Sequence, residues 1–480
     1  MTQPNDLPRR DHVSWDAARR VAHLVGRPQP AVSRALADAA GCVLASPLVS
    51  PAAVPPVDRS AMDGYAVRGP GPWRVIAHVA ADSAASVELA DGQACSITTG
   101  AAVPAGATSV IRDEDIELDG PWVHGPSDPG KHIRRAGEEC QAGEVVLPAG
   151  VVVDGPVLGL AASLGLNRLT VIPQPVVAAL ITGDELVHQG PSTPGRVRDA
   201  IGPMLPTLIT QAGAQLGPIR HLPDTRTALL EALRTPRDQH PTPPHPTAGS
   251  VADSLGGAEQ YAQAADTGLR GERGTPPHPS PSFGDQSGVP PHPNPGSVAS
   301  GVGGATPGAA GWGEGGLAGA DLILVSGSSA SGPADHLRAV LSELGAELVV
   351  DGVDCRPGHP QAVARLGDGR LVVGLPGNPL AALSAFLTVG VAAISRLRGL
   401  PLPALAVAAI PGGVACHPHS TRLVPVRVTG QGAVPVGHGG SAMLRGAAEA
   451  DALAVVEPGP AEAIAARLLP LDPGARPWGG

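Results

Sequence analysis

Three apolar runs in this chain each lead directly into a loop that contains glycine. The runs are residues 176–181, 322–325 and 371–375, and the loops begin at Thr182, Ser326 and Pro376. Helical patterns lie between or after these runs, at residues 227–234, 334–344 and 380–397. An apolar strand followed by a glycine turn and a helix is typical of βαβ units. The pattern predicts an α/β domain with a central parallel sheet, with helices on both faces and with its ligand site where the strands end.

The chain has 480 residues, which is too many for a single core, so we expect about three domains. The α/β domain is predicted at residues 175–398. Short alternating runs punctuated by glycine and proline predict a small β-rich domain at residues 46–130 and a small, barrel-like C-terminal β domain at 399–472. Residues 12–45 and 131–174 are assigned to an N-terminal helical and linker domain. The predicted fold class is therefore multidomain α/β plus β.

Residues 14–41 show a helical pattern near the N-terminus. Ser14 is a favourable N-cap, and Gly26 and Pro28 interrupt the pattern. The apolar residues at helical spacing are Ala17, Val21 and Leu24.

Residues 236–316 interrupt the predicted α/β domain. They are rich in Gly, Pro, Ser and Thr, and the sequence Pro-Pro-His-Pro begins at residues 243, 276 and 290. The segment contains few large apolar side chains, and burying them cannot offset the entropy lost when the segment is ordered. We therefore favour a disordered linker over a histidine metal site. The insertion joins a helix to a strand. It is therefore expected at the edge of the sheet opposite the ligand site.

Composition narrows the class of protein. A net charge of −10 argues against a nucleic-acid partner. Five cysteines without C-x-x-C spacing argue against structural zinc and are read as buried thiols in a reducing cytosol. The N-terminus is polar, without the apolar stretch of a signal peptide, and the longest apolar run covers residues 380–394, short of the ~20 residues that span a bilayer. We therefore expect a soluble, cytoplasmic protein that does not contact membranes.

The segment 55–67 combines prolines, two carboxylates, a hydroxyl, a glycine and an aromatic ring. Asp58 and Asp63 flank the sequence Arg-Ser-Ala-Met, and Gly64 and Tyr65 follow. A hydrophobic core does not need this combination, whereas a rigid loop that presents polar groups to a ligand does. The segment closely resembles the signature Asp-Asn-Ser-Ala-Met-Asp-Gly-Tyr-Ala of the molybdopterin molybdenumtransferases, the MoeA and gephyrin E-domain family.

Other separated segments resemble the same family. They are Thr-Gly-Ala-Ala-Val-Pro-Ala-Gly-Ala at 99–107, Ile-Arg-Arg-Ala-Gly-Glu-Glu at 133–139, Thr-Gly-Asp-Glu-Leu at 182–186, Leu-Pro-Gly-Asn-Pro at 375–379, and Gly-Ser-Ala-Met-Leu at 440–444. The resemblance covers roughly residues 12 to 470 and is interrupted by the insertion.

The loop after the second apolar run has the composition of an anion site. Small residues expose backbone N–H groups before a helix that Pro333 would open, which suits a phosphate. The resemblance identifies this loop with the family's pterin-phosphate loop and Asp335 with the acidic residue that follows it. The predicted binding residues of this loop are Ser326, Gly327, Ser328, Ser331 and Gly332.

Two adjacent carboxylates, Asp184 and Glu185, follow the first apolar run. Adjacent carboxylates repel each other unless a cation or hydrogen-bond donors compensate, and Mg²⁺ bound by oxygen ligands is the simplest compensator. A pair of helix-capping residues is the alternative. The resemblance implies that Asp184, Glu185 and Asp335 bind or position the metal.

The resemblance also implies a catalytic set and a homodimer. The catalytic set is Asp63, Thr99, Glu185 and Asp335. Asp63 would orient the transferring group and Thr99 would donate to an oxyanion, facing the sheet of the partner subunit. Further binding roles are implied for Pro376, Gly377, Asn378, Pro379 and Glu139.

Several residues depart from the family pattern. Arg356 and His359 replace two lysines that would hold molybdate, and Ala381 replaces a serine. Arg59 and Glu139 replace Asn and Asp, and Asp199-Ala200 stands where a Ser-Asn or Thr-Asn pair is usual. A planar guanidinium and a partly charged imidazole are not equivalent to ammonium groups, so we expect a weaker and pH-dependent molybdate site.

The resemblance implies insertion of molybdate into adenylylated molybdopterin with release of AMP, with Mg²⁺ as cofactor. It also makes the molybdopterin adenylyltransferase a candidate partner. Two alternatives stay open: a molybdopterin adenylyltransferase, which has the same α/β domain, and a non-catalytic molybdopterin-binding or scaffold protein. The N-terminal 170 residues and the C-terminal domain argue against the first, and the altered anion residues favour the second.

Overall fold

The computed structural model describes residues 13–82, 87–235, 317–328, 336–437 and 440–474. The predicted linker at 236–316 lies outside the described residues, as do Ser331, Gly332 and Asp335.

A six-stranded mixed sheet forms the centre of the molecule. Its strands, in spatial order, are Gln215–Leu222, Val176–Thr182, Leu322–Ser328, Leu371–Pro376, Ala362–Arg365 and Glu347–Asp351. The first four are parallel, and the last two are antiparallel to their neighbours. The three apolar runs thus form neighbouring parallel strands, as predicted. The prediction of an entirely parallel sheet is wrong because a hairpin at 347–365 adds two antiparallel strands at one edge.

Side chains that alternate along the central strands build a separate core on each face of the sheet. On one face, Ala178, Leu180 and Ile323 pack against the helices Arg226–Arg234 and His336–Glu343. On the other face, Val177, Ala179 and Leu324 belong to the largest core cluster, together with the helix Leu205–Gln211. A strand buried on both faces needs an almost continuous apolar sequence, which explains the runs.

A long apolar helical segment, Pro379–Leu397, lies in the same large core. It consists of the helix Pro379–Ala385, a π-helical turn Phe386–Gly390 and the helix Val391–Leu397. At 19 residues it is longer than the apolar run in the sequence and meets the length and composition of a membrane span, but most of it is buried inside the protein. That burial is typical of a core helix.

The N-terminal helix Trp15–Val25 packs on this core. Ser14 caps the helix through its side-chain oxygen, and Trp15 Nε1 donates to Thr388 Oγ1 in the π-helical turn at 3.0 Å. The cap prediction is confirmed, but the helical prediction is wrong beyond Gly26, because residues 32–35 form a strand. Trp15, Ala18 and Ala22 form the buried face, whereas Leu24 is 68% exposed.

Residues 32–172 form several small sheets. Three short strands pair at Val32–Ala35, Arg168–Ile172 and Val43–Leu44. Two-stranded pairs join Arg59–Ser60 to Ile133–Arg134 and Leu48–Val49 to Val145–Leu147. A six-stranded sheet contains, in order, Glu117–Asp119, Trp122–His124, Trp73–Val79, Gln93–Ile97, Gly64–Val67 and Ser109–Arg112. The helix Gly155–Ser163, capped by Asp154, covers the core around Cys42 and Leu169.

The C-terminal residues form a seven-stranded sheet that recruits strands from elsewhere. Its main path is Val13–Ser14, Val353–Arg356, Thr421–Thr429, Ala452–Val456, Glu462–Pro470 and Val407–Ala415, with Gly432–Pro435 paired to Thr421–Thr429. The short helix Arg445–Glu449 packs on it. The sheet is therefore continuous with the α/β part of the chain. The barrel-like form and the domain bounds stay predictions.

Candidate functional site

The candidate site begins where the order of the parallel strands reverses. The chain passes from Val176–Thr182 outward to Gln215–Leu222, then returns to Leu322–Ser328 on the other side. The carboxyl ends of the two strands on either side of such a switch point leave a crevice in which open α/β sheets bind ligands. Thr182 ends one of these strands, Ser326 lies near the end of the other, and two hydrogen bonds join them.

The strand ends approach each other closely. Thr182 N–H donates to Ser326 Oγ at 3.2 Å, and Thr182 Oγ1 donates to Ser326 O at 2.8 Å. Gly327 has a φ of 82°, and a Cβ there would lie 2.5 Å from Thr182 Oγ1. The left-handed φ and this close contact both favour glycine at position 327. A Cβ at Gly377, in the neighbouring loop, would lie 3.7 Å from Gly327 Cα, which is an ordinary contact. The predicted residue Ser326 is buried and bonded to the neighbouring strand, so it fixes this edge of the sheet.

Acidic residues follow two neighbouring strands at this edge. Asp184 and Glu185 follow the strand that ends at Thr182 and are exposed, and the backbone N–H of Asp224 donates to Asp184 Oδ1 at 3.0 Å. Arg196 Nη1 donates to the backbone oxygen of Asp184 at 2.9 Å. Asp224 was not predicted as a site residue. It follows the strand Gln215–Leu222 as Asp184 follows its own strand, and that position was the available signal.

The electrostatics of Asp224 reflect this neighbourhood. Burial raises the pKa of the Asp224 carboxyl above its ordinary value, His336 lowers it, and the charges of Asp184 and Glu185 raise it again. Burial, together with repulsion from Asp184 and Glu185, makes the ionised form of Asp224 less stable here than in the unfolded chain. A bound cation would relieve the repulsion.

If Mg²⁺ binds at these carboxylates, we expect Asp224→Asn to weaken its binding about tenfold, since a neutral amide replaces a negatively charged carboxylate. Because the folded-state pKa of Asp224 is raised, the cation-free variant should match the parent in stability below the unfolded-state pKa of 3.8 and become more stable than the parent as pH rises through the raised folded-state pKa. Calorimetric Mg²⁺ titration and thermal unfolding between pH 4 and about 8 measure both effects. Asp119→Asn, an exposed carboxylate of another sheet, is the control and should change neither. An unchanged Mg²⁺ affinity in Asp224→Asn would contradict the prediction.

The helix Pro379–Ala385 follows the third apolar run, and Ser441, from the C-terminal part of the chain, caps its first turn. Leu380 N–H and Ala381 N–H both donate to the backbone oxygen of Ser441, at 3.0 and 3.2 Å, and Asn378 Nδ2 donates to Ser441 Oγ at 3.3 Å. Gly377 and Asn378 are exposed, and Pro376 is buried. Two backbone donors that could bind an anion are thus already used within the chain. The ligand-binding role of residues 376–379 stays a prediction.

Arg356 and His359 lie on the strand Val353–Arg356 and the turn after it. Arg356 is exposed and pairs in register with Arg422. Burial lowers the pKa of His417, and the charge of Arg356 lowers it further, so positive groups cluster here. The ring Nδ1 of His359 donates to Val353 O at 2.8 Å. The molybdate role of Arg356 and His359 stays a prediction.

The signature segment forms a second group of polar residues. Thr99 N–H donates to Asp63 Oδ1 at 2.7 Å, and both residues are exposed. Asp58 bonds Arg135 Nη1 at 2.6 Å and the N–H of Ala136 at 2.8 Å. The structure thus brings two predicted catalytic residues, Asp63 and Thr99, into direct contact. The predicted residue Glu139 is exposed, and its backbone N–H donates to Val54 O at 3.0 Å.

The two groups are built separately. In the described ranges, the hydrogen bonds of Asp63 and Thr99 join them to each other and to Asp113. Those of Asp184 reach Arg196 and Asp224. Of the predicted phosphate-loop residues, Ser326 and Gly327 are described in full, Ser328 is described by its backbone, which pairs with Pro376, and Ser331 and Gly332 lie outside the described residues.

Comparison with known families matches three parts of the chain. Residues 13–165 match the MoeA N-terminal region (domains I and II), residues 314–396 match a probable molybdopterin binding domain, and residues 409–465 match the MoeA C-terminal region (domain IV).

Two curated relatives are named for the same activity. Molybdopterin molybdenumtransferase 2 of Mycobacterium tuberculosis is 39% identical over 209 residues, which is 41% of this chain and 51% of the relative. A Staphylococcus aureus protein named molybdopterin molybdenumtransferase is 24% identical over 370 residues, 74% of this chain and 69% of the relative. The match thus spans about half the length of the first relative.

A solved structure shares the fold. A crystal structure described as a molybdopterin biosynthesis MoeA protein from Pyrococcus horikoshii has a TM-score of 0.64 and 22% sequence identity, covering 96% of this chain and 99% of that one. At this identity the similarity shows the fold, which is multidomain with mixed sheets.

Proposed function

This chain belongs to the MoeA family, and we propose that it is a molybdenumtransferase that inserts molybdate into adenylylated molybdopterin and releases AMP. The observation that carries the proposal is that Asp184, Glu185 and Asp224 follow two neighbouring parallel strands at the carboxyl edge of the sheet and influence one another electrostatically, with Asp224 N–H bonded to Asp184 Oδ1. The proposal includes a cytoplasmic homodimer as the working form.

The donor set of this edge fits Mg²⁺. Asp184, Glu185 and Asp224 offer only oxygen ligands, and the raised pKa of Asp224 comes in part from the charges of the other two. Mg²⁺ would supply charge neutralisation at the phosphoanhydride of the adenylylated pterin. The chain's own task is to hold the carboxylates in place. The N–H of Asp224 and the guanidinium of Arg196 do this by bonding the side chain and backbone of Asp184.

The second group would act on the transferring oxyanion. The backbone N–H of Thr99 holds the carboxylate of Asp63 in a fixed position on an exposed surface. Preorganised groups of this kind stabilise charge that develops in a transition state without reorganisation. The edge of the sheet that carries Asp184, Glu185 and Asp224 is here called the acidic edge. We propose that the surface around Asp63 and Thr99 faces the acidic edge of the partner subunit. The adenylyltransferase that would supply the substrate is the proposed partner.

Molybdate-dependent release of AMP from adenylylated molybdopterin tests the proposal. The molybdenumtransferase function predicts release that needs both molybdate and Mg²⁺. Formation of adenylylated molybdopterin from ATP would instead support the adenylyltransferase. Binding of the pterin without turnover would support the scaffold reading, which the occupied donors at Leu380 and Ala381 favour.

A further inference from the structure

Two histidines and a buried aspartate come together near the acidic edge. The ligand atoms of His188, Asp199 and His221 all lie within 4.8 Å of one another. His188 follows the short strand Leu186–Val187, and Asp199 follows Val197–Arg198, which is paired to it. His221 lies on Gln215–Leu222. Three different segments thus bring these side chains to one point.

Asp199 is held in a fixed orientation. Its Oδ1 accepts hydrogen bonds from Ile201 N–H and Gly202 N–H, both at 2.9 Å. The residue is only 6% exposed. Its Oδ2 faces His221 Nε2 at 3.3 Å. A carboxylate anchored through one oxygen presents the other as a preoriented ligand.

The distances suit a small divalent ion. Two ligands of a tetrahedral ion with bonds of about 2.0 Å are separated by about 3.3 Å. His221 Nε2 and Asp199 Oδ2 already have this separation. The rings of His188 and His221 have centroids 3.7 Å apart, and the exposed His188 can turn to bring its nitrogen closer.

The hydrogen bond between His221 and Asp199 explains only part of this arrangement, because it gives no reason for His188 to lie against His221. Two protonated imidazoles at this distance would repel each other. Burial and the charge of His221 lower the pKa of His188, and the charge of Asp199 opposes this shift.

We propose that His188, Asp199 and His221 form a binding site for a divalent transition-metal ion of the zinc class. Two imidazole nitrogens favour such an ion over Mg²⁺, which prefers oxygen ligands. The exposure of His188 leaves a fourth position open to water or a ligand. The bound ion would tie the segment that follows Glu185 to the strand that precedes Asp224, and so stiffen the acidic edge.

Cobalt provides a direct test, because tetrahedral Co²⁺ has a characteristic visible absorption. The full chain, first stripped of metal with a chelator, is titrated with Co²⁺ and then with Zn²⁺ as competitor. We expect one tetrahedral Co²⁺ that Zn²⁺ displaces. In His188→Ala the affinity should fall about 10- to 100-fold. The exposed position of His188 makes loss of folding from this change unexpected, and circular dichroism checks it.

Two comparisons make the result specific. His124→Ala removes an exposed histidine from another sheet and should leave the Co²⁺ spectrum unchanged. Asp199→Asn keeps the shape of the side chain but removes its charge, and should weaken binding as His188→Ala does. Equal Co²⁺ affinity and spectra in the parent and in His188→Ala would overturn the proposal. Such a result would assign any bound ion to other histidines, including those of residues 236–316.

Discussion

Gly64→Ala is expected to unfold the sheet that carries the signature segment. Gly64 has a φ of 153°, and a Cβ there would lie 1.9 Å from the backbone oxygen of Ile111 in the paired strand. This backbone oxygen is fixed in the sheet and cannot move aside, as the end of a flexible side chain could. Strain and overpacking together should reduce the free energy of unfolding by roughly 3–5 kcal/mol. Urea unfolding and hydrogen exchange of the strands Gly64–Val67 and Ser109–Arg112 measure the loss.

Gly92→Ala is the matched control for this prediction. Gly92 precedes a strand of the same sheet and also has a left-handed φ, 75°, but a Cβ there would meet nothing within 4 Å. Only the backbone strain remains, so the expected cost is about 1–2 kcal/mol. If the two variants lose equal stability, the close approach of Ile111 does not explain why glycine is needed at position 64.

The parts of the fold that local sequence predicted are those determined by burial or by neighbouring residues. The run at 176–181 falls within the strand Val176–Thr182 because a strand covered on both faces must be apolar throughout. Ser14 was recognisable as a cap because capping depends on neighbouring residues. Both features need no knowledge of distant parts of the chain.

Features that depend on distant partners were missed. Residues 32–35 were predicted as helix, but they pair with Arg168–Ile172, far along the chain, and long-range pairing overrides local propensity. The hairpin that makes the central sheet mixed was missed for the same reason. Each segment is compatible with more than one structure until its partner is known.

Only part of the candidate site was predicted, and the reason for the missing part is related. Asp184 and Glu185 were found because they follow an obvious apolar strand. Asp224 was missed because its strand, Gln215–Leu222, is interrupted by Gly217 and Pro218 and does not appear as an apolar run. Proline is tolerated there because this is an edge strand of the sheet.

A mixture of two inactive variants is expected to regain activity if the active site is shared between subunits. Asp63→Asn keeps an oxygen that can accept from Thr99 N–H but removes the negative charge, and Glu185→Gln removes charge from the acidic edge. Each variant alone should lose about 10²-fold or more in AMP release, as when a preorganised charge or donor is removed. Neither substitution touches the hydrophobic core, so both variants should fold.

Subunit exchange between these two variants produces hybrid dimers. In a hybrid, one of the two shared sites contains both Asp63 and Glu185, and the other contains neither. Random exchange makes half of the dimers hybrids, so about a quarter of the parental rate should return. Mixing Asp63→Asn with the double variant is the control, since no site then has Asp63. Should the first mixture stay inactive although exchange is verified by mass spectrometry, Asp63 and Glu185 act within one chain, and the hydrogen-bonded group at Asp63 and Thr99 must reach the acidic edge of its own sheet.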